Sequence, residues 1–337
     1  MTASGTISVV VPTYQRRERL LALIGALERQ AFSASRMEVV VSIDGSTDGT
    51  REALQGLRTA FALRTMWHPR RGRAAAVNTA IEIASGDLIV LLDDDMEPVP
   101  TCLEAHRRAH EQQTQLGVMG AVPMAIDRNA RPATRYIGDK FNRHLASLAL
   151  PGRQLQLTDF YSGNFSIARG LLLDVGGFDE DFKEYGNEDL ELSLRLSRAG
   201  VALAYDAAAC AVQHNDKTFD MLAADSVAEG RTAVLFALKH PDVVDRLKLG
   251  TFDHGPRLLR LVRDGLLRVD KRTSGPPSWL LALEAVLSGI NPPGMATFYR
   301  LAFGYLYWLG ARDAIGTERN AGRSTDSLSR LARDLRQ

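Results

Sequence analysis

The sequence predicts an α/β protein: a Rossmann-like, mostly parallel sheet flanked by helices, with an added C-terminal helical region. Three observations predict it. Short β-branched apolar runs alternate with helical patterns through the first hundred residues, which is how parallel βαβ units read in sequence. Three of those runs end in polar clusters, Pro12-Thr13-Tyr14, Asp44-Gly45-Ser46 and Asp93-Asp94-Asp95, and open parallel sheets bind ligands beyond the carboxyl ends of their strands. After His214 the apolar pattern is helical throughout.

In chain order, residues 7–11 form a β-branched run closed by Pro12, a buried strand. Leu20, Leu23, Ile24 and Leu27 recur at i, i+3, i+4 and i+7, the stripe of a helix packed on one side. Residues 39–43 and 63–67 are further strands, the latter stopped by Pro69; Val77, Ala80, Ile81 and Ala84 mark a second helix, and residues 88–92 a fourth strand. Residues 117–124 and 163–167 read as extended, and the polar stretch 127–156 as a loop with a helix inside it.

"EDLELSLRLSRAG" has leucines at 190, 192, 194 and 196, an alternation that taken alone favours a strand. Leu190 and Leu194 are also spaced i, i+4 among good helix formers, and Gly200 is a natural stop. We assign a helix. Later helical patterns cover residues 221–239, 257–269, the stretch past Pro276-Pro277 to Ser288, and 297–309.

Composition bounds the function. With 337 residues, 45% hydrophobic, 24% charged and a net charge of +1, the chain is an ordinary globular protein with no electrostatic case for nucleic acid. Cys102 and Cys210 are too few for a disulfide framework or zinc cluster, which suits a reducing cytoplasm. The N-terminus lacks the pattern of a signal peptide. No stretch reaches the ~18 apolar residues of a spanning helix. The nearest, residues 295–310, carries Arg300 with several glycines and tyrosines.

"LIVLLDDDMEP" places three adjacent carboxylates after a buried strand. They repel one another, so a cation belongs there, and Mg²⁺ or Mn²⁺ with substrate phosphates fits that donor type. An exposed acidic turn is the plainer alternative. "DGSTDGTREALQ" imitates a calcium loop, but Gln55 stands at the twelfth position and a strand precedes it. A strand-to-helix turn capped by Ser46, Thr47 or Asp48 is preferred, leaving Asp44 free at the strand end.

Four blocks, "VVVPTYQRRERL", "VVSIDGSTDGT", "GRAAAVNTAIEIASGDLIVLLDDDMEP" and "GGFDEDFKEYGNEDLELSLRLSRAG", occur in the order found in the family 2 glycosyltransferases, which have the GT-A fold. The chain resembles that family over about residues 5–215. The resemblance implies a GT-A domain over 1–216, its nucleotide-binding half about 1–100 and its acceptor half about 101–216. A helical region, 217–316, and a polar, flexible tail, 317–337, would follow.

It further implies that Pro12, Tyr14 and Asp44 line the base pocket. Asp93, Asp94 and Asn78 would belong to the nucleotide-sugar site, and Gly163 and Asn164 would border the sugar. Asp95 would bind the metal, Mn²⁺ or Mg²⁺, with His214 completing its coordination. Asp189 would be the catalytic base, and Glu188 would hold the acceptor or orient that base. The activity implied is metal-dependent, inverting transfer from a nucleotide diphosphate sugar, UDP-sugar favoured, to a glycan, lipid-linked sugar or natural product.

The family often has a basic residue just before the position of Asn78, where this chain has Val77; Arg70, Arg71 and Arg73 are the candidate replacements. Plainer roles stand beside these. Glu188-Asp189 suits the negative charge favoured at a helix start, His214 a surface histidine, Tyr14 an aromatic plug, and Gly163-Asn164 a tight turn. A retaining transferase on the same fold and a non-catalytic nucleotide-sugar or glycan-binding protein are the competing functions. Residues 294–310, with Phe298, Leu301, Tyr305 and Leu309 near helical spacing, suit a peripheral contact at the inner face of a membrane, a core helix or a homodimer contact.

Overall fold

The computed structural model describes residues 5–252, 254–270 and 275–320. They form two compact units, one comprising Met1–Ile126, Gly138–Lys183 and Glu188–Asn215, the other Asp127–Ile137, Glu184–Asn187 and Asp216–Gln337.

The first unit opens with β1 (Ile7–Thr13), α1 (Arg17–Leu27), β2 (Met37–Asp44), α2 (Thr50–Gln55), β3 (Ala62–His68), α3 (Arg73–Ile83) and β4 (Leu88–Leu92). It continues with β5 (Met96–Pro98), α4 (Cys102–Ala109), β6 (Leu116–Gly120), α5 (Pro132–Leu148, whose first turns belong to the second unit), β7 (Asn164–Ala168), α6 (Arg169–Asp174), α7 (Glu188–Arg198), β8 (Ala202–Asp206) and β9 (Ala211–Gln213). Among the described residues the main sheet has seven strands in the order β3-β2-β1-β4-β7-β6-β8. Only β7 runs against its neighbours, pairing antiparallel with both β4 and β6. A small second sheet pairs β5 with β9.

Every residue of β1, β2 and β4 is buried, as central strands covered on both faces should be. Alternation sends Val9, Val11, Val39 and Val41 into one core with Leu20, Leu23, Ile24 and Leu27 of α1. Val10, Val40, Ile89 and Leu91 enter the other core, with Val77, Ala80 and Ile81 of α3. In β1–β2 pairing Val10 lies opposite Val40 and Thr13 opposite Ile43, so the polar residues after each strand emerge at one edge.

The ambiguous leucine segment is a helix, α7. Its Glu191 carboxylate is buried and held by Arg195 at 2.7–2.9 Å, an i, i+4 pair that helical geometry provides. Gly200 follows with φ +81°, the left-handed stop. The strand expected at residues 117–124 ends at Gly120. Beyond it Pro123 has no N–H to give, and the Ala121 and Pro123 carbonyls accept bonds from Ala211 and Gln213 instead.

The second unit contains α8 (Phe219–Lys239), α9 (Arg257–Val269), α10 (Ser278–Ile290) and α11 (Met295–Asn320). α8 and α11 cross at glycines. A Cβ on Gly230 would stand 2.0 Å from the Tyr307 carbonyl, and one on Gly310 2.0 Å from that of Val227. Phe219, Tyr299 and Phe303 pack ring to ring, with Tyr136 from the segment before Gly138.

Most of the large side chains of residues 294–310, where a peripheral membrane contact was one expectation, are turned inward. Tyr299, Tyr305, Leu306, Tyr307, Trp308 and Leu309 are all buried, and Leu301 is the large apolar side chain of that stretch that stands exposed. This burial is what the core-helix alternative expected. Among the described residues no helix is long and apolar enough to cross a membrane. The last helix runs to Asn320, past the expected 309; of the expected polar tail, residues 321–337 lie outside the described residues.

Candidate active site

The strand ends converge as expected. Thr13, the last residue of β1, donates its hydroxyl to Asp94 at 2.8 Å. Arg16, just before α1, donates from Nη1 to Asp94 and to Asp95, each at 3.1 Å. Gln213 Nε2 lies 3.3 Å from Asp95 on the other side. Asp94 and Asp95 are both buried. Burial pushes the Asp94 carboxyl up to about 6; the Asp95 and Asp93 charges add to that, while Arg16 and Thr13 oppose it.

Asp93 faces a different cation. Arg73, the first residue of α3, donates to it from Nη2 at 2.8 Å. The same guanidinium donates to Asp189 at 3.3 Å and to the Ser162 hydroxyl at 3.0 Å. Ser162 in turn donates its hydroxyl and its backbone N–H to Asp189, at 2.5 and 3.2 Å. Burial alone would favour losing the Arg73 proton, but the charges of Asp93, Asp189 and Glu188 win and hold it firmly cationic. Gly163 belongs to this arrangement by its smallness: a Cβ there would sit 2.6 Å from Asp93 Oδ2.

Glu188 stands apart. It is buried, its Oε1 is 4.0 Å from Arg73 Nη1, and its Oε2 has no hydrogen-bond partner among the described residues. Burial first, and then the neighbouring Asp189 charge, push its carboxyl up to about 7, against Arg73. An unpartnered buried carboxylate oxygen is costly.

Other expected residues are placed differently. Asp44 is not free: both oxygens accept backbone N–H groups, from Arg71 at 2.6 Å and Gly72 at 3.0 Å, so it anchors the loop that delivers Arg73. Asn164 is buried in the core, its amide donating to the Ala121 and Ala209 carbonyls and its oxygen facing His106 Nε2 at 2.8 Å. Asn78 clasps the backbone of Phe178 with both ends of its amide, at 2.8 Å each. The side chains of Asn164 and Asn78 are thus committed to structure rather than turned to the strand ends. Pro12 is buried at the end of β1, whereas Tyr14 is 38% exposed with the Arg70 guanidinium 4.2 Å over its ring.

The expected metal pair is half assembled. The His214 N–H donates to the Asp95 carbonyl at 2.9 Å, setting the two side by side, but the imidazole turns to Glu97 at 2.8 Å. Among the described residues no three His, Cys, Asp or Glu side chains form a ligand group. The donor set is nonetheless hard, oxygen-rich and at present neutralised by Arg16, which fits a divalent ion that takes most of its ligands from water and phosphate.

Carboxylates thus gather at the strand ends of a mostly parallel sheet, and Arg73 joins them to a second acidic pair, Glu188 and Asp189. Residues 8–176, half of the chain, match the model of glycosyl transferase family 2, and the protein belongs to that family. A second model, described as the N-terminal domain of galactosyltransferase, matches residues 142–214. The chain is 28% identical over 221 residues to validoxylamine A glucosyltransferase of Streptomyces hygroscopicus, covering 58% of this chain and 52% of that one. It thus spans about half the length of the curated relatives it matches first.

Among solved structures it resembles the mannosyltransferase PcManGT of Pyrobaculum calidifontis in complex with GDP-Man and Mn²⁺, with TM-score 0.53, 20% identity, and coverage of 98% of this chain and 79% of that one. It also resembles S. aureus TarS 1–349 in complex with UDP-GlcNAc, with TM-score 0.55, 15% identity, and coverage of 96% and 95%. The fold is the expected GT-A fold.

Sequence reasoning missed Arg16, Ser162 and Gln213, and offered Arg73 only as one of three replacements. For Arg16 a signal existed: a basic residue two places after the first strand-end cluster, in a chain with three aspartates needing a counter-charge.

Proposed function

We propose that the chain transfers a glycosyl group from a nucleoside diphosphate sugar to a hydroxyl acceptor, with inversion at the anomeric carbon. The observation that carries this is the guanidinium of Arg73 joining donor-side Asp93 to Asp189, with the unpartnered Glu188 oxygen beside it. Asp189, oriented by Ser162, accepts the proton of the acceptor hydroxyl as its oxygen attacks the anomeric carbon. The bond from that carbon to the diphosphate oxygen breaks on the opposite face, and the diphosphate leaves with the electron pair. Glu188 Oε2 receives a second acceptor hydroxyl. Asp95, with His214 and Asp93 close by, would hold a divalent ion, which supplies Lewis-acid stabilisation of charge on the leaving diphosphate. Pro12 and Tyr14 flank the base. A UDP-sugar is the favoured donor and a glycan or lipid-linked hydroxyl the acceptor.

The test is release of nucleoside diphosphate from UDP- and GDP-sugars with Mn²⁺, with and without acceptor mixtures, followed by the anomeric configuration of the product. Turnover that Asp95→Asn abolishes, giving inverted product, supports the full reading. A product of retained configuration overturns the role of Asp189, and full activity in EDTA overturns that of the metal.

A further inference from the structure

Two helices of the second unit carry their apolar residues on the outside. On α9, Leu258, Leu261, Val262 and Val269 are exposed, at 71, 69, 52 and 80%. Helical geometry gathers them within about 100° of arc, and Leu267, the buried residue of that helix, lies on the opposite side. On α10, Trp279, Leu283, Val286 and Ile290 repeat the pattern at i, i+4, i+7 and i+11, all exposed. The two faces adjoin where Trp279 Nε1 donates to Asp270, at the end of α9, at 3.3 Å. Single exposed leucines are unremarkable, but a continuous apolar face is an interaction site.

Charge selects the partner. α9 holds Arg257, Arg260, Arg263 and Arg268 against Asp264. Asp264 is taken by Arg263 at 2.9 Å, whose guanidinium also lies over Phe252. Arg257 and Arg268 are exposed and fall on one flank of the apolar face. α10 adds no negative charge outside, because Glu284 is buried and accepts the Tyr299 hydroxyl at 2.7 Å. A second copy packed symmetrically here would set Arg257 and Arg268 chiefly against arginines, since Asp264 is held by Arg263 and Asp270 accepts from Trp279. An anionic lipid surface meets every feature: acyl chains for the leucines and valines, phosphates for the arginines, and the interfacial layer for Trp279.

We propose that the outward faces of α9 and α10 dock this protein on anionic membranes. The test is co-sedimentation of the full chain with vesicles of phosphatidylcholine alone or with about a third phosphatidylglycerol. Binding is expected only to the anionic vesicles and should weaken as salt rises. At roughly fivefold per basic residue, Arg257→Gln with Arg268→Gln should weaken partitioning about thirtyfold, while lysine at both positions retains it. Leu261→Glu with Ile290→Glu should abolish it; these side chains are exposed, and an unchanged thermal melt keeps that result interpretable. No sedimentation with anionic vesicles, or equal binding to both compositions, overturns the proposal. So does self-association in analytical ultracentrifugation that Leu261→Glu dissolves, which would make a second copy the occupant.

Discussion

Arg16 donates from one nitrogen, Nη1, to two carboxylates, Asp94 and Asp95, at 3.1 Å from each. The guanidinium therefore stands as the resident counter-charge of a strand end that would otherwise hold adjacent buried anions. Arg16→Ala should cost about 2 kcal/mol of stability, the scale of charged hydrogen bonds. Because a divalent ion can replace the missing charge, Mn²⁺ should stabilise the variant more than it stabilises the parent. Thermal shift with and without Mn²⁺ measures both effects; an equal metal response in the two proteins would count against a shared position for Arg16 and the ion.

Asp189→Asn removes a proton acceptor while keeping the size and one of the two hydrogen bonds from Ser162. Transfer should fall by about 10²–10⁴-fold, the range for loss of a general base, while UDP binding stays within a factor of about two of the parent. Single-turnover rates and calorimetric titration separate the two. Parallel loss of binding would recast Asp189 as a structural anchor for Arg73.

Glu188 makes stability depend on pH. Its carboxyl is raised to about 7, by burial and then by Asp189, above its unfolded value. The folded protein therefore binds its proton more tightly than the unfolded chain does. Stability from this group is fully present below about pH 4.3 and is lost as pH rises through about 7. Urea unfolding of Glu188→Gln across that window should show a flatter profile than the parent, with the variant relatively more stable at the alkaline end. An identical slope would place the proton elsewhere.

Gly163→Ala probes the contact with Asp93, since the new Cβ would arrive 2.6 Å from Oδ2. Overpacking of this kind costs about 1–3 kcal/mol, and displacing Asp93 should also break its pair with Arg73. Activity should therefore fall well before the fold is lost, visible as reduced turnover at a temperature far below the melt. Unchanged turnover would mean that the carboxylate has another rotamer that serves equally.

Much of the fold was legible because buried central strands and one-sided helices impose strong periodicities. β1, β2, β4 and α1 could be drawn from valine runs and leucine spacing alone. β8 and β9 were not foreseen, being short and only partly buried, so their residues carry little alternation. Within the site, the clusters at Asp44 and Asp93–Asp95 followed from strand ends, but the direction of each side chain did not. Asn164 points into the core because neighbouring positions of a strand face opposite ways, and nothing in the letter Asn says which. Arg73 bridges residues 20 and 116 positions away in the chain, a relation that no local pattern encodes.

The insertion of β7 between β4 and β6 also orders events in time. β1, β2 and β3 pair over short stretches of chain, Ile7 with Met37 and Glu38 with Ala62, and β4 joins β1 once Leu88 has been made. β6, made earlier than β7, has no place beside β4 until residue 168 has been synthesised, and Asp189 comes later still. A nascent chain that has finished its three aspartates therefore still lacks β7 and the Ser162–Asp189 contact. One side of the Arg73 bridge is made more than ninety residues before the other.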